Sequence, residues 1–171
     1  MIPSMPAGMV ADWWRQARPD LDTSPMDLFG RLRRLQILAD LDENDVVRGV
    51  HLTPPELDIL VIIRHADQPL IARGIADLRG CSRAAVTNLL NKLEGRGLIT
   101  REVNLADRRA SLVRVSEDGA RLVDEVFPRR LAMEADMLSH LDPEQQEMII
   151  ESLDLLLTTM LRRAPFAQGK P

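Results

Sequence analysis

The sequence predicts a mainly α-helical fold that carries one small β-hairpin. A short helix over 71–79, a glycine turn and a second helix from Arg83 follow one another closely, which is the spacing of a helix-turn-helix. Two segments of alternating apolar and polar residues, 98–103 and 111–115, come next and enclose a polar tip. Such alternation predicts a pair of strands. The order helix, helix, strand, strand indicates a winged helix-turn-helix, flanked here by long N- and C-terminal helices.

The second helix of this motif has one apolar and one polar face. Ser82 is a good cap for a helix that runs to about Glu94, and Gly95 and Gly97 end it. The apolar face, which should pack on the core, holds Val86, Leu89, Leu90 and Leu93. The alternative is an ordinary amphipathic surface helix. If the helix enters the major groove of DNA, its arginine can form hydrogen bonds with guanine and its asparagines with adenine. The residues expected to contact double-stranded DNA are Ser82, Arg83, Ala84, Thr87, Asn88, Asn91 and Lys92.

The tip of the hairpin, residues 104–110, adds three further candidate DNA contacts. Arg108 and Arg109 should reach a phosphate or the narrow minor groove. Asp107 is expected to orient one of these arginines, because a carboxylate that faced DNA would be repelled. The alternative is a mobile charged loop.

The charge is distributed unevenly along the chain. The net charge is −4, but residues 71–114 hold nine basic and four acidic residues, a local charge of +5, so the remainder carries −9. A basic region on an acidic body favours a polyanionic partner such as DNA.

The flanking segments are predicted to be helical, and they are the candidate dimerisation elements. A helix over 10–17 precedes a second that begins with Ser24 as its cap, and a helix from Ser116 contains Pro128, which should kink or split it. Capping boxes at 53–56 and 142–145 predict the starts of two further helices. In the helix 71–79, Leu78 is expected to face the core. The terminal helices are more apolar than one small motif can cover, which favours a homodimer. We therefore divide the chain into dimerisation helices 1–50, a DNA-binding domain 51–116 and dimerisation helices 117–171.

Several other classes of protein are disfavoured. The first ten residues lack the basic start of a signal peptide, and no apolar run approaches the roughly 20 residues that span a membrane. The single Cys81 cannot form an internal disulfide, which favours the cytoplasm, and we expect it to be buried and inert, with redox sensing as the alternative. The three histidines are dispersed, and no phosphate-binding loop or nucleophile motif occurs. We expect neither a metal, a cofactor nor an enzyme activity.

Residues 50–120 resemble the core of the MarR family, the multiple antibiotic resistance regulators. The shared positions include the helix start Ser82-Arg83, the wing position Arg101 and the tip Asp107-Arg108-Arg109, together with 97–99 and 116–119. The resemblance implies a homodimeric repressor that binds a pseudo-palindromic operator and is usually released by a ligand. One alternative is a DNA-binding regulator that responds to no ligand. The other is an enzyme or a protein-interaction module that has the same winged fold.

The N-terminal segment 14–26 resembles the extra first helix of the urate-responsive branch of that family. Trp14, Asp58 and Arg101 match residues associated with that branch, whereas Leu89 stands where the branch has an arginine of the recognition helix. The resemblance implies a pocket for a small anionic or aromatic effector. In that pocket Trp14 would form a wall, Arg18 or Arg101 would meet the anion, and Asp58 would pair with one of these arginines. The alternative is that the tryptophans only pack the extra helix.

Overall fold

A computed structural model describes residues 8–162 of the chain. Residues 1–7 lie outside the described residues. The tail 168–171, which the sequence predicts to be disordered, also lies outside them. The chain forms two compact units that divide after Arg130, and the predicted domain boundaries at 50 and 116 stay predictions.

The elements are α1 Met9–Ala17, α2 Ser24–Val46, α3 Pro54–Arg64, β1 Leu70–Ile71, α4 Ala72–Arg79, α5 Arg83–Gly95, β2 Ile99–Val103, β3 Ser111–Val115, α6 Glu117–Met137 and α7 Pro143–Leu161. The predicted fold class, mainly α with a small wing, is confirmed.

Short capping motifs determine where most helices begin. Thr53 and Glu56 form the predicted capping box of α3, and Asp142 and Gln145 form that of α7. These side chains satisfy N–H groups that have no partner inside a helix. The start of α2 differs from the prediction, because Ser24 is already helical and Thr23 occupies the cap position without a side-chain bond. The Asp22 carboxylate accepts the Ser24 N–H at 2.9 Å instead.

The sheet has three antiparallel strands in the order β1-β3-β2. β2 and β3 are the predicted hairpin, with Ile99 opposite Val115 and Val103 opposite Ser111. Ile71 was predicted to begin a helix, but together with Leu70 it forms the short strand β1. Its two residues are too few to show a period of two in the sequence, and their pairing with β3, across about forty residues of chain, decides their conformation.

One apolar core lies among α3, α4, α5, α6 and the sheet. Its fully buried side chains are Leu57, Ile59, Leu60, Ile75, Val86, Leu90, Leu93, Ile99, Val113, Val123 and Val126. The prediction that Leu78 faces this core is wrong, since Leu78 is 67% exposed. Ile75 and Ala76 are the buried residues of α4. At 100° per residue, Leu78 lies roughly 110° from the middle of the face that they define.

The helix α6 contains Pro128 and is not split by it. Proline removes one backbone donor and crowds the preceding turn, but it does not always end a helix. The first turn of α6 is fixed to the base of the wing by Ser116. Its hydroxyl donates to the Gly97 carbonyl at 2.7 Å and accepts the Gly119 N–H at 3.0 Å.

The helices α2 and α7 contain no buried residue. Their exposed apolar side chains include Leu35 at 61%, Ile37 at 52%, Leu155 at 71% and Leu157 at 56%. Exposed apolar surface on this scale is unusual for a helix that functions in water alone. Within residues 8–162, no helix is both long and apolar enough to cross a membrane.

Replacing Gly119 with Ala should lower the free energy of unfolding by about 1–3 kcal/mol. A Cβ atom at this position would lie 2.0 Å from the Leu98 carbonyl oxygen, so the base of the wing would have to shift. Chemical denaturation at one fixed protein concentration measures the effect.

Gly74→Ala is the matched control. It adds the same methyl group within α4, where a Cβ meets no atom within 4 Å. This variant should be stabilised by roughly 0.5–1 kcal/mol, because alanine is the better helix former. Equal stability of the two variants would contradict the steric role of Gly119.

Candidate nucleic-acid interface

The helix α5 presents the predicted polar face to solvent. Gly80, with φ +63°, forms the tight turn that separates α4 from α5. The Ser82 hydroxyl then accepts the Ala85 N–H at 3.2 Å and caps the helix. Val86, Leu90 and Leu93 are buried and Leu89 is half-buried, as the pattern predicted. The residues left exposed on this helix and its cap include Ser82, Arg83, Ala84, Thr87, Asn88, Asn91 and Lys92.

The tip of the wing is held by its own polar side chains. The side-chain oxygen Oδ1 of Asn104 accepts the N–H groups of Ala106 and Asp107 at 3.0 and 3.3 Å. Asp107 accepts the Arg109 backbone N–H at 3.0 Å. Asp107 therefore bonds to Arg109 through the main chain, and its role in orienting the arginine side chain stays a prediction. The side chains of Arg108 and Arg109 are exposed.

A basic groove lies between α5 and the wing. It has a volume of about 280 Å³, and four arginines line it: Arg73, Arg83, Arg101 and Arg109. Sequence reasoning did not assign Arg73 to the site. The available signal was its place in the first turn of α4, since the first helix of a helix-turn-helix crosses the DNA backbone. Four guanidinium groups around one groove make a suitable site for a phosphate.

Arg101 joins the root of the wing to α5. Its Nη2 donates to the side-chain oxygen Oδ1 of Asn91 at 2.6 Å, and its Nε lies 3.1 Å from a Glu94 carboxylate oxygen. The Arg101 side chain is 25% exposed. We call these three residues the wing clasp.

A second charged cluster connects four helices around Asp58. Its carboxylate accepts Arg79 Nη2 at 2.6 Å and also binds Arg130, and Arg130 in turn donates to Glu43 at 2.7 Å. The four side chains are only 20–23% exposed. An adjacent cleft of about 600 Å³ is lined by Gln36, Ala39, Asp40, Asn44 and the four members of this cluster. We call it the Asp58 cleft.

The four residues predicted to hold an effector do not line one pocket. Asp58 borders the Asp58 cleft, whereas Arg101 lines the basic groove. Arg18 binds Asp20 through two hydrogen bonds of 2.8 and 2.6 Å, which lower the pKa of that carboxyl group. Trp14 is 47% exposed on α1.

The expected pairing of Asp58 with Arg18 or Arg101 is wrong, because Asp58 binds Arg79 and Arg130. Sequence reasoning missed both of these partners. Arg130 lies 72 residues from Asp58, and no local pattern indicates a pairing over that distance.

Cys81 is exposed, so the prediction of a buried thiol is wrong. The glycine turn before α5 places it at the surface, outside the core-facing arcs of α4 and α5. Its redox role stays a prediction. In the described part of the chain, no group of three His, Cys, Asp or Glu residues could hold a metal ion.

The chain is similar to known proteins along most of its length. The sequence profile of the MarR family matches residues 52–111. The HTH-type transcriptional regulator PecS of Dickeya dadantii (strain 3937) is 29% identical over 139 residues, 80% of this chain and 84% of PecS. The HTH-type transcriptional regulator MhqR of Bacillus subtilis (strain 168) is 33% identical over 103 residues, 60% of this chain and 70% of MhqR. The crystal structure of the S. aureus MepR–DNA complex superposes with a TM-score of 0.72 at 23% identity, over 75% of this chain and 94% of that one.

The wing, the exposed polar face of α5 and the basic groove between them define the class: a DNA-binding transcription regulator with a winged helix-turn-helix. The match to the family profile and the 33% identity with MhqR over 70% of its length identify the family. This chain belongs to the MarR family, whose members are regulators and not enzymes.

Proposed function

We propose that this regulator is a homodimer that binds a pseudo-palindromic operator as a repressor and is released by a small anionic or aromatic effector. One observation carries the DNA-binding mode: two residues of the polar face of α5, Arg83 and Thr87, border the same basic groove as two arginines of the wing, Arg101 and Arg109. Each α5 would enter a major groove, with base contacts from Arg83, Asn88 and Asn91. Related half-sites would then lie about one helical turn apart.

The wing supplies the second part of the DNA contact. Arg108 and Arg109 are exposed at its tip, and Arg73 of α4 adds a third cation in the groove that Arg109 also lines. Phosphate contacts of this kind fix the position of a protein on DNA, and they make its affinity depend on salt.

Replacing Arg108 and Arg109 together with Ala should weaken binding to the operator. The slope of log K against log salt should fall by about one unit for each phosphate that the variant no longer neutralises. Fluorescence anisotropy with a duplex from the protein's own promoter region, compared with scrambled DNA, measures both quantities.

Arg121→Ala is the control, because this exposed arginine lies on α6 beside Asp118 and outside the basic groove. It should leave the salt slope unchanged. An unchanged affinity of the double variant at moderate salt would contradict the proposed DNA-binding mode.

The exposed apolar faces of α2 and α7 support assembly with a second copy of the chain. Both helices lack buried residues, although each carries several large apolar side chains. A self-complementary apolar surface is the usual interface of a two-fold dimer. Two copies would also match the two half-sites of a pseudo-palindrome.

Leu157→Glu should shift the protein toward the monomer, because it places a charge on the apolar face of α7. Sedimentation equilibrium over a range of protein concentrations measures the dissociation constant. Thr158→Glu introduces the same charge at the neighbouring exposed position and should affect assembly less. A wild-type protein that stays monomeric at micromolar concentration would exclude the dimer.

The Asp58 cleft is the site that we propose for the effector. Arg79 and Arg130 lie in its wall, each held by Asp58, and an anion that binds them would compete with that carboxylate. Asp58 belongs to α3, Arg79 to α4 and Arg130 to α6, so the competition would alter how α4 is held beside α3 and α6. An effector releases DNA only if it prefers one of two arrangements. The N-terminal resemblance makes urate one candidate, although Leu89 replaces an arginine of that pattern.

At least one anion among urate, xanthine, salicylate, citrate and aconitate should raise the melting temperature and release the operator. Ala39→Leu should weaken both effects, because Ala39 lines the Asp58 cleft and the larger side chain reduces its volume. Ala132→Leu, at an exposed position of α6, is the control. Operator binding that none of these anions affects would favour a regulator without an effector of this class.

A further inference from the structure

We propose that Arg101 is a specificity-determining positioning residue, which turns the Asn91 side chain so that its amide N–H groups face the DNA. This inference rests on the proposed DNA-binding mode, and it concerns which base the recognition helix prefers. The wing clasp carries it: Arg101 Nη2 donates to Asn91 Oδ1 at 2.6 Å.

The chemistry of the two side chains fixes the orientation of the amide. A guanidinium group carries only N–H donors, so the Asn91 atom that faces it must be the carbonyl oxygen. The Nδ2 group is therefore turned away from Arg101. Asn91 itself is exposed, which leaves its two Nδ2–H donors available to a partner in the groove.

Arg101 is well suited to hold this orientation. It belongs to β2, where it pairs with the buried Val113 of β3, and its side chain is only 25% exposed. The Glu94 carboxylate, one turn further along α5, lies 3.1 Å from its Nε and adds an ion pair without a hydrogen bond. An arginine held in this way loses little further freedom when it fixes a neighbour.

Asn88 provides an internal comparison on the same face of α5. It is exposed, and the described part of the chain gives its side chain no hydrogen bond. Its amide can turn either way, so it can offer adenine both the donor and the acceptor that a bidentate contact needs. In Asn91 one of the two lone pairs of Oδ1 is already used by Arg101, and the amide is not free to turn, so its Nδ2–H donors lie away from Arg101.

The preferred base follows from the donors that remain. Guanine presents two acceptors, N7 and O6, in the major groove, whereas adenine presents one acceptor beside an amino donor. Two N–H donors that are held toward the groove suit the two acceptors of guanine best and are repelled by the amino group of cytosine. We therefore assign guanine to the base that faces Asn91, although asparagine in general favours adenine.

The test compares base preference between variants. Operator duplexes are first selected from a random library, and binding is then measured with all four base pairs at each position. Asn91→Ala and Asn88→Ala locate the position that each residue contacts. In the wild type, guanine should exceed adenine by about tenfold at the Asn91 position. In Arg101→Met that preference should fall below about twofold, while the Asn88 position should keep its preference.

Two further variants separate positioning from a simple loss of charge. Arg101→Lys keeps a donor for the Asn91 oxygen and should retain part of the guanine preference. Asn91→Asp keeps the bond to Arg101 but lacks the amide donors, so it should lose the preference even where Arg101→Met fails to fold. The proposal would be overturned if the Arg101→Met variant bound every sequence more weakly but kept the same base preference as the wild type. A wild-type preference for adenine at the Asn91 position would also overturn it.

The wing clasp can also be measured without DNA. If no duplex is selected, the proposed DNA-binding mode fails, and NMR of the free protein still tests the clasp. The side-chain amide of Asn91 should be more rigid than that of Asn88, and it should lose this rigidity in Arg101→Met. Equal mobility of the two amides in the wild type would refute the clasp on its own.

Discussion

The pairing of β3 on both of its edges is the constraint on which the rest of the site depends. β2 pairs along its whole length with one edge, and the two residues of β1 pair with the other. β1 leads directly into α4, and β2 follows directly after α5. One strand therefore ties both ends of the helix-turn-helix to the wing. The buried Ile99 and Val113 anchor this sheet in the core.

Five arginines of the first unit illustrate two different physical roles. Arg79, Arg101 and Arg130 are largely covered and bind carboxylates within the fold. Pairs of this kind depend on good geometry, because removing charges from water is costly. Arg108 and Arg109, in contrast, are exposed at the tip of the wing. The covered group holds elements together, and the exposed group is available to a polyanion.

Local patterns in the sequence were sufficient to predict the fold and the surface of the site. The caps at Ser82, Thr53 and Asp142 and the alternation of the hairpin depend on residues close in the chain, and the structure confirms them. The polar face of α5 followed from helical periodicity alone. For these features, the chemistry that fixes the structure lies within one or two turns of chain.

The remaining features depend on contacts between distant residues. β1 forms only because β3 lies beside it, and Asp58 finds Arg130 across 72 residues. The bond between Arg101 and Asn91 spans only ten residues, yet it requires the wing to fold back on α5. Charged residues have several partners of suitable charge in the sequence, so periodicity cannot choose among them. This is why the predicted pocket combined residues that the structure places apart.

The tip of the wing has a consequence for the thermodynamics of association. Side chains of Asn104 and Asp107 accept three backbone N–H groups within residues 104–110, before any partner is present. Ordering a backbone costs about 1–2 kcal/mol per residue in conformational entropy. In this loop, that cost belongs to the free energy of folding rather than to that of binding. A partner that binds this loop would therefore have less backbone left to order.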